Sequence, residues 1–434
     1  MQLFSTNHIS PDVDLEEAVF RGLPQDNGLY MPYNIPKLPD SFFTKIDDLS
    51  IQEIAFEICK TLFDGELTNE EIKLIVNRAI TFEAPLVVTE PNNYILELFH
   101  GPSMAFKDFG ARFMASLMGF YLEKSQKKIK ILVATSGDTG GAVAQGFHNT
   151  PNIDVVILYP SGKVSDIQEM QLTTLGGNVT AIEIDGTFDD CQALVKSAFL
   201  DKDLSRKYKL ASANSINISR LIPQSFYYFS AFAQLKKLGN KLPVVFSVPS
   251  GNFGNLSAGL IAYQMGLPVH QFIAATNVND VVPRYLESGN YEPVKSKETI
   301  SNAMDVGNPS NFIRMKLLAG DNWQSISKII IGYSYTDNDT KSEMKSVYEK
   351  THYIMCPHTA VAQLGADNYK KEVDKNVVTV VLSTAHYAKF LPVMEPTLGF
   401  SPPIPGRLSE LLLKEKVSTK MAADFGDFKA WLLG

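Results

Sequence analysis

The chain has 434 residues, enough for two or three lobes rather than a single core. Hydrophobic residues make up 45% and charged residues 20%, which excludes a disordered chain, and 28 Gly with 23 Pro excludes a collagen-like or low-complexity one. A net charge of −7 argues against nucleic acid or an anionic membrane as the main partner, while leaving room for a local basic pocket.

In chain order, Met1-Gln-Leu-Phe-Ser-Thr-Asn-His8 shows neither a basic leader nor an apolar block. Secretion and organelle import are therefore disfavoured, and a cytoplasmic location is expected. Residues 1–85 read as an N-terminal helical domain. Ile51, Ile54, Ala55, Ile58, Cys59 and Leu62 recur at helical spacing, with Gly65 set to end the helix. Thr68 and Glu71 spell a capping box ahead of Ile72, Ile75, Val76 and Ala79. The stretch from Gly22 to Pro32 is turn-rich and irregular.

From about residue 86 to 400, short β-branched runs alternate with helical stretches. Strands are expected at Ile129–Ala134, Asp154–Tyr159, Val179–Ile184, Val244–Val248, Phe272–Thr276 and Val377–Leu382. The pattern predicts an α/β fold of right-handed βαβ units, with mostly parallel sheets flanked by helices in two lobes. Residues 401–434 read as a C-terminal helical extension. Leu242 to Asn279 contains no charged residue, but Pro249 to Asn255 and Gly266-Leu-Pro268 cut it into pieces too short for a bilayer. A buried strand, loop, helix and strand fit it better. Cys59, Cys191 and Cys356 are sparse and form no Cys-x-x-Cys pair, so they read as reduced core thiols.

Two turns echo each other. The strand ending at Ala134 runs into Thr135-Ser-Gly-Asp-Thr-Gly-Gly141, and the strand ending at Val248 runs into Ser250-Gly-Asn-Phe-Gly-Asn255. Each lies between a strand and a helix, where α/β sheets bind ligands and free N–H groups suit an anion. Neither turn is Gly-x-Gly-x-x-Gly, and neither carries the Gly-Lys-[Ser/Thr] of a P-loop, which disfavours dinucleotides and nucleoside triphosphates. Gly137-Asp-Thr-Gly-Gly141 is similar to the nucleophile motif of chymotrypsin-like proteases, but Thr139 stands at the nucleophile position and the setting is strand-then-helix. The seven histidines lack metal-ligand spacing, so no metal site is expected, and His352 and His358 read as surface or core-edge residues.

Lys107 follows Met104-Ala-Phe106. A lysine desolvated among aromatic groups loses its proton more easily and can form a Schiff base with an aldehyde. A phosphorylated aldehyde cofactor would need such a lysine, an anion cup and a hydroxyl for its ring nitrogen, which Ser383 or Thr384 could supply.

These residues carry a resemblance over essentially the whole chain. Leu98-Phe-His-Gly-Pro-Ser-Met-Ala-Phe-Lys-Asp-Phe-Gly110, Ala134-Thr-Ser-Gly-Asp-Thr-Gly140, Asn214-Ser-Ile-Asn-Ile-Ser-Arg220 and Ser247-Val-Pro-Ser-Gly-Asn-Phe-Gly254 are long, specific motifs. Ala274-Ala-Thr-Asn-Val-Asn-Asp280, Ser301-Asn-Ala-Met-Asp305 and Thr384-Ala-His386 extend them. The chain resembles the threonine synthases of the bacterial and fungal type, pyridoxal-phosphate enzymes of the tryptophan-synthase-β superfamily with fold type II.

The resemblance implies a lyase that uses pyridoxal 5'-phosphate to turn O-phospho-L-homoserine and water into L-threonine and phosphate. It implies Lys107 as the Schiff-base residue and proton shuttle. Gly251, Asn252, Phe253, Gly254 and Asn255 would cradle the cofactor phosphate, and Thr384 would face the ring nitrogen. Thr135, Ser136 and Thr139 would hold the substrate carboxylate. Arg112, one helical turn beyond Lys107, and Arg220 are the candidates for the substrate phosphate, since a guanidinium fork matches phosphate oxygens. Many superfamily members carry Asn at the position of Asp138, beside the cofactor's phenolic oxygen, which an ionised carboxylate would repel. The implied partner is this small substrate, without nucleic acid or membrane, in a monomer or small homo-oligomer. A related dehydratase or phospholyase would share Lys107 and the glycine turn. A non-enzymatic anion- or nucleotide-binding protein would use the turns and leave Lys107 idle.

Overall fold

In the computed structural model, which describes residues 1–125 and 127–434, the amino-terminal helices start where their side chains dictate. Thr68 accepts from the Glu71 N–H while the Glu71 carboxylate accepts from the Thr68 N–H, opening the helix Asn69–Ala79. Ser50 and Glu53 do the same for Ile51–Leu62. That helix ends ahead of Gly65, with the Phe63 N–H bonded to the Cys59 carbonyl. Both helices bury their apolar stripes, and Asn69–Ala79 packs on the long helix Lys107–Ser125.

Strands β1 (Leu3–Ser5) and β2 (Tyr30–Pro32) pair antiparallel, in a region whose sequence reads as irregular. Three residues show no period, and the pairing partner is remote in the chain. The other strands are β3 (Leu86–Glu90), β4 (Asn93–Glu97), β5 (Ile129–Ala134), β6 (Ile153–Pro160), β7 (Val179–Asp185) and β8 (Lys209–Ser212). They continue with β9 (Val244–Pro249), β10 (Gln271–Thr276), β11 (Ile330–Ser334), β12 (Val378–Ser383) and β13 (Thr419–Ala422).

Strands β3 to β13 form two sheets. The larger runs β11-β10-β9-β12-β4-β3 and the smaller β13-β7-β6-β5-β8. Every pairing in them is parallel except the β3–β4 hairpin. The six strands legible as apolar runs are the central ones, covered on both faces. Val244, Phe246 and Val248 of β9 pack to one side, and Val245 packs to the other with Ala362. The flanking strands β3, β8, β11 and β13 are short or only partly buried, and β4 has just five residues; none shows a long apolar run. The C-terminal stretch is not helical alone, because β13 joins the smaller sheet beside β7.

The charge-free stretch resolves into β9, the helix Gly254–Gln264 and β10. No helix among the described residues is long and apolar enough to cross a membrane. All three cysteines are free and buried.

Candidate active site

Strand β5 ends at Ala134 and strand β9 at Pro249, and the turns that follow meet across one cleft between the two sheets. Lys107, Ser136, Asp138, Thr139, Arg220, Gly251 to Asn255, His358 and Thr384 all line it.

Lys107 opens the helix Lys107–Ser125. Its loop is tied to the end of β12, since Phe106 donates from N–H to the Thr384 carbonyl at 2.8 Å and His386 donates to the Met104 carbonyl at 3.1 Å. Met104 takes φ +55° to make this bend, a left-handed conformation unusual for a long side chain. The Lys107 Nζ lies 5.1 Å from the Phe106 ring centre and has no hydrogen bond or ion pair among the described residues. Loss of hydration pulls its pKa to about 8; Asp138 opposes that fall while Lys389 and Arg220 assist it.

The second glycine turn is an open cup. Phe253, buried and at φ +58°, heads the helix Gly254–Gln264, whose start has no side-chain cap. Among the described residues, the N–H groups of residues 251–254 have no acceptor, so they and the helix dipole are free for an anion. The side chains of Asn252 and Asn255 brace the cup. Asn252 donates to the Ser215 hydroxyl and accepts from Ser310, while Asn255 donates to the Pro249 carbonyl. A Cβ on Gly251 would come within 2.7 Å of the Ala303 carbonyl and the Met304 Cα. At Gly254 the same atom would sit 3.5 Å from Asn311, an ordinary contact, so of the two glycines Gly251 is the one the packing demands.

The first turn closes on itself. The Thr135 hydroxyl accepts from the Gly137 and Gly140 N–H groups at 3.1 and 2.8 Å, and Thr135 does not line the cleft. Its expected contact with substrate is thereby replaced by a role in shaping the loop, leaving Ser136 and Thr139 facing the cleft.

The two arginines part ways. Arg112 is outside the cleft, contrary to expectation: it donates to the carbonyls of Ala79 and Arg78 and to the Thr81 hydroxyl, capping the helix Asn69–Ala79. Five residues beyond Lys107 is about 140° around a helix, which turns the side chain away from the cleft. Arg220 is 2% exposed and faces the cleft. Its helix approaches closely because Gly110 has no side chain; a Cβ there would lie 2.7 Å from the Arg220 carbonyl. Arg220 donates to the Ala213 carbonyl, its Nε is unpartnered, and it has no ion pair among the described residues. Burial lowers its pKa to about 10, with Asp108 opposing. Of the two hydroxyls after β12, Ser383 turns inward to Thr359 at 2.9 Å and Thr384 lines the cleft.

One cleft residue, His358, and one residue behind the cleft, Lys389, escape sequence reasoning. His358 is 3% exposed, accepts from the Ala303 N–H at 3.2 Å, and burial lowers its pKa to about 4, so it is neutral. It is neither a surface nor a core-edge residue, and only its place near the start of the apolar helix Pro357–Glu372 hints at burial. Lys389, from the single turn Tyr387–Phe390, pairs with Asp138 at 2.6 Å. A larger hollow of about 590 Å³ opens beside the Lys107 loop, lined by Glu97, His100, His386 and Arg407; it contains none of the candidate site residues.

Residues 89–384 match the model of the pyridoxal-phosphate dependent enzymes. Residues 2–80 match the threonine synthase N terminus, and residues 359–431 its C-terminal model. The chain is 45% identical to a threonine synthase of Haemophilus influenzae over 100% of both chains. The crystal structure of threonine synthase from Escherichia coli superposes with a TM-score of 0.90 at 41% identity, covering 100% of this chain and 99% of that one. A pyridoxal-phosphate-bound threonine synthase from Brucella melitensis gives 0.93 at 34% identity, covering 100% and 98%.

Proposed function

The chain belongs to the threonine synthase family, and from that premise we propose that the cleft around Lys107 converts O-phospho-L-homoserine and water into L-threonine and phosphate. One observation carries the reading: a lysine amine and a cup of N–H groups, both without partners among the described residues, line the same cleft. These groups fit pyridoxal phosphate: Lys107 Nζ would hold its aldehyde carbon, residues 251–255 its phosphate and the Thr384 hydroxyl, which faces the cleft, its ring nitrogen. When bound, that cofactor supplies an electron sink that makes the substrate's Cα and Cβ protons removable.

The chain's own groups do the rest. The Lys107 Nζ, easily deprotonated for a lysine, takes and returns protons at Cα, Cβ and Cγ. Arg220 holds the leaving phosphate and keeps it in the cleft while water adds at Cβ. Ser136 and Thr139, with the first N–H groups of the helix Asp138–Phe147, bind the substrate carboxylate. The buried, reduced cysteines suit a cytoplasmic setting.

Purified protein incubated with O-phosphohomoserine should release threonine and phosphate in equal amounts. Lys107→Ala should cut that turnover by about four powers of ten or more, and borohydride reduction of the native protein should leave a pyridoxyl group on Lys107. A pyridoxyl group found on another lysine defeats the assignment.

A further inference from the structure

Lys389 is fully buried, and its partner Asp138 is 6% exposed on the side chain. The ammonium also donates to the Ser103 carbonyl at 2.9 Å, within the loop that carries Lys107. Asp138 accepts a second hydrogen bond, from the Gln168 amide at 2.9 Å. The pair thus joins three segments: the turn after β5, the Lys107 loop and the turn after β12.

Stability does not account for it. Drying two charges costs several kcal/mol, and apolar residues of like volume commonly serve a fold as well or better. What distinguishes this pair is a third cationic group beside it, the half-buried Lys107 that lines the same cleft, with Arg220, His358 and the Asp108 carboxyl also close by. Burial works against the charge of Asp138, but Lys389 and then Lys107, with hydrogen bonds from Lys389 and Gln168, hold its carboxyl well below the usual range. Asp138 is therefore a fixed anion within reach of Lys107. A lone anion within about 4–6 Å of a lysine raises the lysine's affinity for its proton by about ten- to a thousandfold. That would keep Lys107 as an ammonium, which cannot attack an aldehyde.

We propose that Lys389 is a positioning residue for Lys107: paired with Asp138, it cancels the carboxylate's pull on the Lys107 proton, and bonded to Ser103, it fixes the loop, so that Lys107 meets the cofactor as a free amine. His358 is neutral and adds no charge, and Arg220 reinforces Lys389. The inference rests on Lys107 being the attachment residue.

Opposite charges make opposite predictions. Full-length protein is stripped of cofactor with hydroxylamine, and the rate at which yellow colour returns on adding pyridoxal phosphate is followed over roughly pH 6–10, a range that brackets a shifted lysine. The native midpoint should lie near 8. Lys389→Met should raise it by about one pH unit or more, Asp138→Asn should lower it by a similar amount, and the double variant should return to within about half a unit of native. A purely structural pair would shift both single variants the same way or neither, and either result overturns the proposal. Should Lys389→Met not fold, the other two decide: Asp138→Asn must titrate below the double variant, and equal midpoints overturn the proposal. Each sample is also reduced with borohydride and mapped by mass spectrometry. A pyridoxyl group on Lys107 with unmoved midpoints defeats this inference alone, whereas a group on another lysine defeats the assignment on which it rests.

Discussion

At the head of the helix Asp138–Phe147 the third turn residue, Asp138, is ionised and paired with Lys389, and Thr135 closes the loop by accepting two of its N–H groups. At the head of the helix Gly254–Gln264 the matching residue, Asn252, is neutral and spends its amide on Ser215 and Ser310, leaving the N–H groups of residues 251–254 without an acceptor among the described residues. The two turns share the spelling Ser-Gly-[Asp/Asn]-x-Gly and face one cleft. Where Thr135 takes up two of the N–H groups, the turn adds side chains and a fixed charge to those that remain. Where no side chain caps the helix, the backbone N–H groups themselves are free for an anion. Five other helices open with capping boxes, at Ser50, Thr68, Ser165, Thr187 and Thr336, whereas the start at Phe253 is bare and faces the cleft.

The strongest way to break this contrast is a side chain at Gly251. Gly251→Val pushes against the backbone of residues 303–304, so cofactor affinity should fall by about two powers of ten or more, while Gly254→Ala, which has room, should change it less than about threefold. Equal effects in cofactor titrations would show that the cup is not the phosphate site.

Arg220 tests whether backbone N–H groups suffice for one phosphate while a guanidinium is needed for the other. Arg220→Ala should retain bound cofactor and its yellow colour, yet lose about two powers of ten in kcat/KM for O-phosphohomoserine, roughly 3 kcal/mol of transition-state binding. Loss of cofactor instead would mean that the second turn depends on Arg220. Unchanged turnover would return Arg220 to a structural role.

The smallest effect sharpens the picture of what braces the second turn. His358 supports residue 303, the far wall of the Gly251 site. Its pKa is about 4 in the fold against 6.5 for the ordinary side chain. Between those values the unfolded chain holds more protons, so stability falls as the pH drops through 6.5 toward 4, by up to about 1.4 kcal/mol per pH unit from this group. The stability difference between native protein and His358→Asn, measured by urea unfolding at pH 7 and pH 4.5, should shrink accordingly. The raised carboxyls of Asp108 and Asp305 act in the opposite direction, but they are present in both proteins and largely cancel from the difference. A difference that stays constant over this range would mean that His358 is charged in the fold.

The sequence by itself determined the alternating α/β pattern, the central strands, the capping boxes and the two glycine turns. Each is written within a few neighbouring residues, by apolar period, by cap spacing or by the glycine a tight turn requires. It also marked Lys107, because a lysine among aromatic residues is a local signal.

Only the tertiary structure decided between Arg112 and Arg220, since that choice depends on which side of a helix faces the cleft and on what a missing Cβ at Gly110 lets approach. It likewise separated Thr384 from Ser383, and assigned Thr135 to its own loop. Strand β13 found its sheet only through β7, some 240 residues earlier in the chain. Lys389 bonds to Ser103 across 286 residues and pairs with Asp138 from another lobe. No local pattern can announce a charge whose partner arrives only when the chain closes on itself, because the field that gives it meaning is made by folding.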